Sequence, residues 1–177
     1  PFQMKIAVNT RLLIKGKLEG IGWFTFETLK RITRANPEHT FLFIFDRPFD
    51  ESFIFSDNIR GIVVPPPTRH PLLWYAWFEF SLPRAIEKHG ADLFFSPDGY
   101  IPMNLKIPGL IAIHDINFHH RPGDLPLSSR IYYRRFFPRF ARKANRIVSV
   151  SEFSKKDIVE NYNIDPDKID VVFNGVN

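Results

Sequence analysis

His114 and Asp115 close an apolar run, GLIAIHD. A charged pair directly after a buried strand falls on the sheet edge where ligands bind in open α/β folds. Histidine there can donate to a sugar hydroxyl or a phosphate, or shuttle a proton near neutral pH. Asp115 can instead cap the turn that follows, leaving His114 as a satisfied structural residue. A second candidate is Gly20-Ile21-Gly22, placed between a first strand and a first helix. Glycines let the backbone approach a ligand closely, and the free N–H groups of a helix start favour a phosphate. The run reads G-x-G-x-x-T, without the third glycine of a dinucleotide fingerprint, and no Gly-Lys-Ser/Thr of a P-loop occurs. Asp46, at the end of a second strand, can stand in for a ribose-binding acid. Ser151-Glu152-Phe153-Ser154 can present hydroxyls and helix-start N–H groups to the same edge. Capping alone accounts for Ser151, while Glu152 and Ser154 are free to do either. With no G-x-S-x-G elbow, a hydrolase serine is not expected. His119 and His120 are adjacent in what reads as an extended loop, where they point apart, so no metal site is expected.

A third kind of signal is charge. The chain carries a formal +5, yet residues 130–146 hold seven basic and no acidic side chains, so the remainder is slightly acidic. Arg130, Arg134, Arg135, Arg139, Arg142 and Lys143 share one helix with Ile131, Tyr132, Tyr133, Phe136, Phe137 and Phe140. A solvated outer face over an aromatic inner face explains this pattern. So does a patch drawn to an anionic membrane at about 1 kcal/mol per basic residue, or to nucleic acid. The stretch Leu72 to Phe80 reads as core in preference to a membrane-dipping surface.

The elements that must position these residues alternate. Strands are read at Lys5–Thr10, His39–Asp46, Arg60–Val64, Asp92–Phe95, Gly109–His114, Arg146–Val150 and Lys168–Phe173. Helices are read at Trp23–Arg34, Pro71–His89 with a break at Pro83, Ser128–Ala144 with Pro138 as a candidate bend, and Glu152–Tyr162. Such alternation predicts an α/β, three-layer Rossmann-like domain, a mostly parallel sheet with helices on both faces. One domain fills the 177 residues. The 19 phenylalanines predict an aromatic core, and the absence of cysteine rules out disulfides, thiolate nucleophiles and Cys-ligated metals. No run approaches the ~18 apolar residues of a membrane span, and the first residues do not read as a signal peptide. Cytoplasmic residence is the default expectation. The chain stops shortly after a strand with no closing helix, which reads as a cut at a domain boundary.

In order, GIGWFTFETLKRI, LFFSPDGYIP, AIHDINFHHRP and RIVSVSEFSKKDIVENYNIDPDKIDVVFNGVN resemble the N-terminal domain of the retaining family-four glycosyltransferases, which have the GT-B fold. The last segment is the most specific. The resemblance implies sugar transfer, with retention, from a nucleotide-diphosphate sugar to an acceptor hydroxyl, in polysaccharide or glycolipid synthesis. It implies that the loop at Gly20 and Gly22 approaches the donor diphosphate and that His114 lies beside the transferred sugar and the acceptor. Ser96, Asp98, Asp115 and Asn117 fall on the acceptor side, Ser151, Glu152 and Ser154 on the cleft helix, and Asn174-Gly175-Val176 in the hinge to a second, donor-binding domain. No metal, no other cofactor and no nucleic-acid partner is implied. The acceptor is a sugar or a lipid-linked sugar, and the basic helix suits peripheral attachment to the inner membrane face. The half-enzyme is expected to be inactive alone. The competing class is a non-catalytic basic α/β module that docks on a membrane surface or nucleic acid.

Overall fold

The computed structural model describes residues 2–175. Seven strands, β1 (Lys5–Asn9), β2 (Thr40–Phe45), β3 (Ile59–Val63), β4 (Leu93–Ser96), β5 (Gly109–Ile113), β6 (Arg146–Ser149) and β7 (Ile169–Val171), form one sheet in the order β3-β2-β1-β4-β5-β6-β7. Every pairing is parallel. Parallel strands covered on both faces read as nearly continuous apolar runs, and KIAVN, TFLFIF and GLIAI do so here.

The two-residue period of the strands divides the core. Ile6, Val8, Phe41, Phe43 and Phe45 pack on one face with Leu29 of helix α1 (Gly20–Ala35) and Phe53. Ala7, Leu42, Ile44, Phe94, Ile111 and Ile113 pack on the other. There they meet α2 (Pro71–Ala76), α3 (Leu82–His89), α5 (Leu127–Lys143) and α6 (Glu152–Tyr162), a short α4 (Asn117–His120) lying between strand β5 and α5. The fold is thus the three-layer, Rossmann-like α/β domain that the alternation of elements predicts.

Four local readings change. Helix α1 starts at Gly20, so Gly20 and Gly22 lie in its first turn and not in a loop. Glycine is a poor helix former, which is why the sequence assigns both to loop; Gly22 is kept by close packing, since a Cβ there would stand 3.2 Å from the Leu12 carbonyl and 3.3 Å from the Leu18 side chain. The predicted break at Pro83 is a π-helical turn over Trp77–Ser81 that joins α2 to α3, with Pro83 accommodated in the first turn of α3. Helix α5 runs through Pro138. His119 and His120 lie on α4 and not on an extended loop, and their rings are 5.4 Å apart. The predicted ends held: Gly90, at φ 61°, closes α3, and Ser151 caps α6 by accepting from the Ser154 N–H at 3.0 Å.

Candidate functional site

The strand order reverses between β1 and β4, and the crevice outside their carboxyl ends is where open α/β sheets bind ligands. Arg11 follows β1 there and Asp98 follows β4. The Arg11 Nε donates to Asp98 Oδ2 at 2.7 Å, with the two side chains 8% and 4% exposed. Asn9 and Ser96 donate to Asp98 Oδ1 at 2.8 and 3.0 Å, and Asn9 also donates to the Ser96 hydroxyl. Gly99, at φ +85°, lets the chain turn directly after Asp98. The network continues away from β4: Arg11 Nη1 donates to the Thr68 hydroxyl, and the Thr68 N–H and hydroxyl both donate to Asp46 Oδ2, at 2.6 and 2.7 Å. Arg47 completes it with paired bonds to Asp46.

These contacts set the electrostatics. Burial opposes the Arg11 charge, but the field and hydrogen bond of Asp98 outweigh it and hold the guanidinium above its ordinary pKa. Its carbon lies 4.5 Å from the Tyr100 ring centre and 5.5 Å from that of Phe78, within cation–π reach. Burial likewise pushes the Tyr100 hydroxyl upward, so it stays protonated. For Asp46, burial pushes upward, while bonds from Arg47 and Thr68 bring the carboxyl below the usual carboxylate value. Asp46 is 1% exposed and fully engaged, so it is no ribose-binding acid. Ser96 and Asp98, expected on an acceptor wall, divide: Ser96 is completely buried beneath the site, while Asp98 reaches its lining.

Above this floor opens a pocket of about 480 Å³. His114 and Asp115 border it, as do Thr68, Trp74, Tyr100 and Tyr133. The His114 Nε2 lies 2.9 Å from the Pro97 carbonyl oxygen. That oxygen carries no proton, so the bond requires the proton on Nε2, and in the neutral ring Nδ1 is then the acceptor. The edge-on ring of Phe24, from α1, is 4.6 Å away and fixes the imidazole from the other side. Phe24 thereby ties His114 to the helix that carries Gly20 and Gly22. No side chain caps the N-terminus of α1; Gly20 is exposed and has no other residue's atoms close to its missing side chain. An uncapped helix start beside a strand-end histidine can receive a phosphate through its backbone N–H groups.

The remaining predicted residues are dispersed around this centre. Asp115 borders the pocket and accepts from the Asn117 N–H at 2.9 Å, and Asn117 is itself exposed. Ser154 is buried beneath α6 and accepts from the Ser151 hydroxyl, whereas Glu152 is exposed. Asn174 and Gly175 share a groove of about 410 Å³ with Gly20, Phe24 and Trp23, which brings the expected hinge beside the α1 start. Val176 lies outside the described residues. On α5, Arg134, Arg135 and Arg142 are exposed and Arg130 and Arg139 half-buried, but Lys143 donates to the Leu105 carbonyl and is committed to the fold. His120 pairs with Asp157 at 2.8 Å, and no group of three or more metal-ligating side chains occurs among the described residues. No described helix is long and apolar enough to cross a membrane.

Arg11, Thr68, Trp74, Tyr100 and Tyr133 are the residues that the sequence reading missed. Arg11 had a signal, because it follows a strand end. Trp74 and Tyr133 sit in aromatic runs that read as core.

A doubly wound parallel sheet with its polar floor at the switch point and a bare helix start beside it is a Rossmann-like α/β domain of the GT-B type. The family model "Glycosyltransferase Family 4" matches residues 18–177, and the chain belongs to that family. It is 28% identical over 108 residues to the O-antigen chain mannosyltransferase RfbU of Salmonella typhimurium, covering 60% of this chain and 30% of that protein. Anabaena HepE, solved with UDP and glucose, superposes with a TM-score of 0.61 at 14% identity, over 98% of this chain and 45% of HepE. The UDP-GlcNAc 2-epimerase of Methanocaldococcus jannaschii superposes with a TM-score of 0.56 at 15% identity, over 97% of this chain and 45% of that one. Those likenesses show the fold, which transferases and epimerases share; membership of the family rests on the sequence match. The chain spans under half of each of these proteins.

Proposed function

We propose that this chain is the acceptor-side half of an enzyme that moves a hexose from a nucleotide-diphosphate sugar to an acceptor hydroxyl with retention of configuration, in synthesis of a surface polysaccharide or glycolipid. The observation that carries the reading is the convergence of His114, the Arg11–Asp98 floor and the uncapped start of α1 on one edge of a family-four domain. The polymer named for the Salmonella relative supports the acceptor class, and the UDP and glucose bound to HepE support a nucleotide-sugar donor.

In this reading the barrier is charge separation as the diphosphate leaves. The N–H groups of the α1 start stabilise the departing anion. His114 Nδ1 takes a hydrogen bond from a hydroxyl at the reacting centre, and Phe24 and Pro97 hold the ring for it. Donor-base and sugar contacts come from a second domain across the groove at Asn174 and Gly175, so this half does not turn over alone. No metal or further cofactor takes part. The test is to offer the intact protein a panel of nucleotide sugars, follow nucleoside-diphosphate release, and read the product's anomeric configuration by NMR. Turnover of one donor with retention is expected. Inversion removes the retaining assignment, and no release from any donor contradicts the whole reading.

The enzyme works at an anionic membrane surface from the inner, cytoplasmic face. Exposed Ile131 and Leu127 on α5 accompany Arg134 and Arg135, and exposed Tyr75 of α2 adjoins Phe136 with ring centres 5.7 Å apart. Leu72 and Phe80 extend the apolar area, although the sequence reads that stretch as core; only Trp77 and Phe78 within it are fully buried. Co-sedimentation with phosphatidylglycerol vesicles is expected at low salt, weakened by Arg134→Gln with Arg135→Gln. Indifference to such vesicles contradicts the membrane reading.

A further inference from the structure

The pocket over Arg11, which the α1 start borders through Ile21, has a chemistry of its own. We propose that it seats an uncharged sugar ring of the acceptor, with Arg11 as the binding residue and Asp98 as the residue that positions it. The inference rests on the reading of this chain as the acceptor side of a glycosyltransferase.

Charge decides the class of ligand. Arg11 and Asp98 neutralise each other at 2.7 Å in near-complete burial, and Asp46 and Arg47 do the same behind Thr68. An entering carboxylate or phosphate would have to displace Asp98 from the guanidinium or lie beside it without a counter-charge. Both are costly in a desolvated site. A neutral polyol asks only for hydrogen-bond donors and acceptors.

The floor supplies them. The protein engages Arg11 through Nε with Asp98 and through Nη1 with Thr68; the remaining guanidinium N–H donors have no protein partner among the described residues. Asp98 cannot turn toward a ligand, because Oδ1 already accepts from Asn9 and Ser96 while Oδ2 holds Arg11. It therefore fixes the guanidinium in place, and Arg11 does the touching.

The walls match the other face of a sugar. Trp74 and Tyr133 line the pocket with ring centres 5.8 Å apart and planes tilted by 40°. Trp74 is held by its indole N–H on the Thr68 carbonyl at 3.1 Å, and Tyr133 accepts from the Tyr100 hydroxyl at 3.0 Å. Rigid rings beside a set of spare donors suit the C–H face and the hydroxyls of a pyranose. The volume of about 480 Å³ fits a small-molecule site.

The experiment uses the intact protein with the donor it turns over. Two acceptors are compared, a neutral hexoside and the corresponding uronate. Acceptor KM and donor turnover are measured for wild type, Arg11→Lys and Tyr133→Leu. The expected result is an acceptor KM raised about tenfold or more in each variant, with the neutral acceptor preferred over the uronate by the wild type. Should Arg11→Lys misfold around Asp98, Tyr133→Leu carries the test, since its half-buried ring leaves the ion pair intact. An unchanged acceptor KM in the folded variants, or a preference for the uronate, overturns the inference while leaving the glycosyltransferase reading standing. Absence of donor turnover by wild type with either acceptor overturns both.

Discussion

The floor and the rim of this cleft are built in opposite ways. At the β1–β4 junction, Asn9, Arg11, Asp46, Thr68, Ser96 and Asp98 are buried and bonded to one another. Along the edge from β5 to β7, Asp115, Asn117, Glu152, Asn174 and Gly175 are exposed and few of their polar groups have partners. The floor is completed by the domain itself, as a preorganised binding surface must be. The rim presents its polar groups to solvent. Between them stands His114, half-buried, fixed by Pro97 and Phe24 yet with one ring nitrogen free.

Substitutions can break that contrast, beginning with the largest effect. Asp98→Ala leaves Arg11 buried without its counter-charge and is expected to cost about 3–5 kcal/mol in chemical denaturation; Asp115→Ala, on the rim, is expected to stay within ~0.5 kcal/mol. Asp46→Asn removes a carboxylate that accepts from Arg47 and Thr68, at about 1–3 kcal/mol near neutral pH. It also sharpens the pH profile. The folded carboxyl sits below its unfolded value of about 3.9, so its contribution is fully present above that value and is lost as pH falls through the folded pKa. The wild type should therefore lose melting temperature below about pH 4 more steeply than the asparagine variant. Ser151→Ala removes the α6 cap at about 1 kcal/mol, whereas Glu152→Gln next to it should change stability by no more than ~0.5 kcal/mol. Smallest are Thr10→Val and Tyr162→Phe. Both hydroxyls are buried without a partner among the described residues, so losing either is expected to be neutral or stabilising by up to about 1 kcal/mol. Thermal melts read both.

The contrast also explains what could be read in advance. The runs HTFLFIFD and GLIAIHD announce buried parallel strands, and Ser151 before Glu152 announces a helix start, because each signal lies within a few neighbouring residues. The rim residues follow directly from the strand ends. The floor does not, since Arg11 finds Thr68 and Asp98 at separations of 57 and 87 residues. A lone arginine after a strand gives no sign of what will neutralise it. The helical placement of Gly22 escapes for the same reason: its low propensity is local, while the Leu12 and Leu18 contacts that override it arise only when the chain folds. Trp74 and Tyr133 show a third limit, for an aromatic run looks the same whether its rings fill a core or line a pocket.

On the proposed function, His114 serves a reaction at a cleft wall and not the stability of the fold. Release of nucleoside diphosphate by the intact protein, wild type against His114→Ala with melting temperatures in parallel, addresses it directly. A drop of about 10²-fold or more in release is expected, with a melting temperature within a few degrees of wild type. Full activity in the variant, or a loss of activity matched by unfolding, would contradict it.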